Sequence, residues 1–171
     1  ATLFVDKIDP QSGTALEIGT SGDTVNLGAG VTAGFGKILQ VVTATDSTSR
    51  NTTSTSYVTA SNTLSVAITP SATSSKIYVV VTGTMYWNTA NKRGYATIYK
   101  DAGNLAGADG MMQIFDPDNA ILGTMGMSIL DSPSSTSELT YQVYIKAQSG
   151  GTVYINEYLT KGSITAFEVA G

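Results

Sequence analysis

The sequence predicts an all-β fold, a jelly-roll-like β-sandwich head preceded by a short extended arm. Three observations carry the prediction. About eight to ten short apolar stretches are separated by clusters of Ser, Thr, Asn, Gly and Pro, the punctuation of a sandwich. One of them, Lys76–Trp87 (KIYVVVTGTMYW), places Ile77, Val79, Val81, Met85 and Trp87 on one strand face and Tyr78, Val80 and Tyr86 on the other. No window shows a 3.6-residue apolar period, which argues against long helices.

Composition narrows the chemistry. Of 171 residues, 42% are hydrophobic, enough for a core, but only 13% are charged, against roughly a quarter in ordinary domains. Ser and Thr fill the gap, so the surface is polar yet nearly uncharged. A net charge of −4 gives no electrostatic footprint for nucleic acid and no basic membrane patch. The chain has neither Cys nor His, which removes thiol and imidazole catalysis, disulfides and the usual soft metal ligands. No apolar run is long enough to span a bilayer. The first residues lack the charged and apolar regions of a signal peptide, so the expectation is synthesis in the cytoplasm.

The arm comes first. Leu16-Glu17-Ile18-Gly19 and Val25-Asn26-Leu27-Gly28 are similar units nine residues apart. They read as rungs of a fibrous β-structure whose apolar side chains need partners for burial; the plainer alternative is a loose arm with accidental similarity. The glycine-rich GAGVTAGFG, residues 28–36, lacks the phosphate-loop pattern and reads as a hinge. It divides an arm, residues 1–35, from a head, residues 36–171.

In the head, Lys37–Thr45 reads as the first strand and Asp46–Ser56 as a polar loop. Short strands follow at Tyr57–Ala60 and Leu64–Ile68, then a turn at Pro70–Ser75 and the strand Lys76–Trp87. Asn88–Lys92 turns the chain into Arg93–Lys100, with Tyr95, Thr97 and Tyr99 on one face. After the loop Asp101–Gly110, Met111–Phe115 and Ile121–Leu130 flank Asp116–Asn119, a composition that predicts a hairpin turn. Gly123 and Gly126 predict a bulge or a close backbone approach. Leu139–Ala147 alternates cleanly, Ser149-Gly150-Gly151 reads as a hairpin into Val153–Leu159, and Ile164–Val169 is the last strand. Tyrosines fall on both faces of several strands. One sandwich interior cannot hide them all, so the surplus implies association of subunits.

These pieces in this order resemble a known family. KILQVVTAT at 37–45, GYATIYKD at 94–101, MSILDSP at 127–133, SELTYQVYIKAQSGGTVYIN at 137–156 and the ending KGSITAFEVA look like trimeric appendage proteins of tailed-bacteriophage virions. These are of the tail-fibre or head-fibre type, with a head similar to the C1q/TNF jelly roll. The resemblance implies a homotrimeric virion structural protein on the particle surface, made in the host bacterial cytoplasm. Tyr78, Val80, Tyr86, Tyr95 and Tyr144 are then the expected trimer interface. Leu16, Ile18, Val25 and Leu27 are expected to attach the arm to other virion proteins, of the tail, baseplate or major capsid. The head either binds the host cell surface or decorates and cements the capsid shell.

No catalysis and no cofactor are expected. Asp109, Asp116 and Asp118 are the nearest approach to a carboxylate pair, and Asp116, Asp118 and Asn119 to a calcium loop, but the Asp residues beside Pro117 and Asn119 read as turn formers and the spacing falls short of a calcium loop. Trp87, Asn88 and Arg93 form the candidate receptor contact, a ring to stack on a host glycan with polar groups for its hydroxyls. The plainer reading places Trp87 in the core, following its strand parity with Val79 and Val81.

Overall fold

A computed structural model describes residues 37–118 and 120–171; the rung residues Leu16, Ile18, Val25 and Leu27 lie outside them. The described regular structure is all strand apart from one 3-10 turn at Glu157–Leu159. The strands are β1 Ile38–Asp46, β2 Arg50–Thr52, β3 Ser65–Ile68, β4 Lys76–Trp87, β5 Lys92–Lys100, β6 Gly103–Asn104, β7 Met112–Asp116, β8 Ile121–Asp131, β9 Leu139–Ala147, β10 Val153–Ile155 and β11 Gly162–Val169.

They form two antiparallel sheets. In sheet A, β4 pairs along one edge with β8 and along the other with β11 and then β10; β1 flanks β11 and β2 flanks β10. Thus β10 and β11 are one strand interrupted at Asn156–Lys161. Sheet B runs β3-β9-β5, with β6 and β7 on the far edge of β5. With β10–β11 taken together, the chain passes between the sheets at every major connection except β1 to β2 and β5 to β7, which is jelly-roll connectivity.

Alternation decides what fills the interior. Ile77, Val79, Val81, Met85 and Trp87 of β4 meet Leu139, Tyr141, Val143 and Ile145 of β9, and all are buried. Trp87 fits because two neighbours have no side chain: a Cβ on Gly151 would lie 2.3 Å from its ring and one on Gly94 2.9 Å away. Its indole N–H donates to the Thr89 carbonyl at 2.6 Å.

Buried polar groups tie the loops down. Asp46 accepts the N–H groups of Thr48 (2.8 Å) and Thr63 (2.9 Å); burial alone would raise its pKa, but these bonds and Arg50 bring it below the usual value. Glu168 accepts Ser71 N–H, Ser71 Oγ and Gln40 Nε2, each at 2.6 Å. Burial pushes its pKa up, yet the hydrogen bonds outweigh it and bring it down to about 2. Between the sheets, Asp131 of β8 accepts Tyr141 Oη (2.7 Å) and Lys100 Nζ (3.0 Å).

Four local expectations are corrected. Asp116–Asn119 does not close a hairpin: β7 pairs with β5 in sheet B and β8 with β4 in sheet A. The Ser149–Gly151 turn likewise crosses between sheets, from β9 to β10. The β8–β4 register runs unbroken from Ile77↔Asp131 to Trp87↔Ile121, so Gly123 and Gly126 mark no bulge. Tyr57–Ala60 is no strand: Val58 alone bridges to Ile145, and Ala60 and Ser61 then turn through positive φ.

Candidate functional site

The outward face of sheet A combines exposed apolar side chains with uncharged strand rows; its charges, Lys76, Glu157 and Lys161, lie at the margin and in the inserted turn. Register sets it out in rows. At the end where the chain enters from Lys37 lies Val41–Phe167–Tyr78–Leu130; next come Thr43–Thr165–Val80–Ser128 and Thr45–Ser163–Thr82–Gly126. The far end carries Asn51–Tyr154–Tyr86–Leu122. No strand residue in these rows is charged, and Lys76 stands at the margin. Tyr78 is 39% exposed, Val41 54% and Leu130 55%. Among the described residues, every exposed large apolar side chain except Phe115 belongs to this sheet or to the turn inserted in it. Apolar content without charge is what the centre of a protein interface carries.

The inserted turn is the sharpest feature. Asn156, Tyr158 and Leu159 adopt left-handed backbone with φ of 56°, 57° and 61°, at about 1–3 kcal/mol each for non-glycine residues. Asn tolerates this conformation better than most residues. Its carboxamide is buried and finds no hydrogen-bond partner among the described residues, a cost accepted for the backbone shape. Tyr158 and Leu159 project, 64% and 93% exposed. The Tyr158 ring packs edge-on to Tyr86 at 5.5 Å, and Tyr154 lies 5.5 Å from Tyr86 on another side. The hydrogen bond with Tyr158, helped by burial, holds the Tyr86 phenol above its usual pKa.

Sheet B treats its outer aromatics differently. Tyr99 stacks on Tyr144 at 4.0 Å, and Lys146 Nζ sits 4.7 Å from the Tyr57 ring and 4.6 Å from the Tyr95 ring. All four tyrosines are half-buried within their own chain. Burial first, then the charge of Asp109, pushes the Tyr57 phenol up to about 12.

The expected interface set is therefore split: Tyr78, Val80 and Tyr86 share the outer face of sheet A, whereas Tyr95 and Tyr144 sit on the outer face of sheet B. The receptor set is corrected at its centre. Trp87 is fully buried and presents no face to a glycan. Asn88 is exposed, and the exposed Arg93 places its guanidinium 4.9 Å from the Phe115 ring centroid. Asp116 accepts the N–H groups of Asp118 and Ala120 and so holds the turn after β7, whereas the exposed Asp109 lies 4.0 Å from Lys146 Nζ. The sequence reading missed Val41, Phe167, Leu122 and Leu130; their signal was parity, usable only once strand partners are known.

No protein-family model matches the chain, and no curated protein matches it. Among solved structures, a crystal structure of the infectious bursal disease virus VP2 subviral particle is similar at 16% identity and a TM-score of 0.37, over 87% of this chain and 42% of that one. So distant a likeness carries no argument about function.

Proposed function

We propose that this chain is a bacteriophage virion structural protein, the homotrimeric head of a surface appendage that contacts the host cell. The observation that carries the reading is the set of uncharged strand rows on the outer face of sheet A. A copy of the same chain meets it without like-charge repulsion and hides its apolar rows. The jelly-roll connectivity fits the appendage-protein resemblance read from the sequence. Host contact then falls to the exposed Arg93–Phe115 pair with Asn88, a cation and a ring suited to surface glycans. The purified chain should bind host cells saturably, and Arg93→Ala should weaken binding at least tenfold without changing oligomeric mass. No saturable binding would remove the receptor role.

Burial of Trp87 supports a second reading, capsid decoration by the same trimer, because it takes the largest ring out of the receptor surface. The copy number in purified particles separates the two: many copies over the shell for decoration, few for an appendage.

A further inference from the structure

Resting on the trimer reading, we propose that the turn Asn156–Lys161 is an intersubunit key, with Leu159 of one copy seated over Gly126 of the next. The turn is rigid as well as exposed. Glu157 accepts the Ser49 hydroxyl, Thr160 Oγ1 donates to the Glu157 carbonyl at 2.9 Å, and Tyr158 is braced on Tyr86. An apolar side chain 93% exposed on a braced, strained turn is shaped to meet a surface.

A glycine gap lies across β4 from the turn, in the edge strand β8 of the same sheet. Gly126 in the edge strand β8 has nothing within 4 Å of where its Cβ would stand; Thr124 and Ser128 flank it on the same exposed face, and Leu122 and Leu130 project beyond them. Key and gap lie at one height along the strands. Gly126 pairs with Thr82, while the turn leaves the sheet after Asn156 N–H donates to the Thr84 carbonyl at 3.2 Å and rejoins it at Ser163↔Thr82. Rotation about an axis parallel to the strands preserves height, so it carries the key of one copy level with the gap of its neighbour. Repeated three times, this head-to-tail contact closes a ring. The same axis puts Lys37, where residues 1–36 join, at one end of every copy. The uncharged strand rows between key and gap favour a second copy of this chain over a charged partner.

The test is sedimentation velocity of the full chain across a dilution series, for wild type, Leu159→Asp, Gly126→Val, their double variant and Tyr78→Asp. Neither key substitution threatens the single-chain fold, because Leu159 is exposed and the space over Gly126 is open; unchanged circular dichroism checks this. The expected result is a trimer whose half-dissociation concentration rises at least tenfold in each key variant and less than additively in the double. Unchanged association in both key variants while Tyr78→Asp dissociates overturns the key and leaves the trimer standing. A loss with Leu159→Asp and none with Gly126→Val puts Leu159 against some other surface and overturns the pairing. Additive losses in the double variant also overturn it. A wild-type chain monomeric at every concentration overturns the trimer reading itself.

Discussion

Trp87 shows how one residue was both legible and misread. Its parity with Val79 and Val81 placed it inward, and the structure buries it; only its position at a strand end made it look available to a ligand. Its fit depends on absent side chains. Gly151→Ala should therefore cost about 1–3 kcal/mol by overpacking, read as a lower urea midpoint with unchanged slope. Glu168 makes a different prediction. Its folded pKa, about 2, lies below the ordinary value of 4.5, so its contribution is complete above pH 4.5 and is lost as pH falls through 2. Glu168→Gln should destabilise by about 1–3 kcal/mol at neutral pH, since the charged acceptor of three donors becomes neutral. It should also flatten the acid limb of the stability curve between those two values, as followed by urea denaturation at stepped pH.

Among elements, β4 and β9 were legible to the residue, because β9 alternates without interruption and β4 breaks its alternation only at Gly83–Thr84. Strand pairing was not. Asp116–Asn119 and Ser149–Gly151 have hairpin compositions, yet each joins strands of different sheets, since turn chemistry specifies the bend and not the partner. The interruption of β10–β11 was equally hidden: Asn156 and Tyr158 favour strand or turn by context, and their positive φ is set by the surrounding sheet. The sheets themselves are joined by Tyr141, Asp131 and Lys100. Tyr141→Phe should remove one buried hydrogen bond, leave Asp131 held by Lys100, and cost about 1–2 kcal/mol, measured as a thermal or urea shift without change of fold.

For the whole molecule, the sequence implied more apolar surface than one sandwich hides, and the structure places that surface. Sheet B covers its tyrosines with its own loops and Lys146; the outer face of sheet A leaves Val41, Tyr78, Leu122 and Leu130 exposed and its rows uncharged. Their convergence was unreadable beforehand, because β1, β8 and β11 meet β4 from distant parts of the chain. A charge placed at Tyr78 should be tolerated by a monomer and should break an assembly built on this face. Sedimentation equilibrium of the unmodified full chain at micromolar concentration is the most direct test. The account predicts a species of three times the 17.7 kDa chain mass that Tyr78→Asp converts to single chains; a wild-type protein holding the single-chain mass throughout would contradict it.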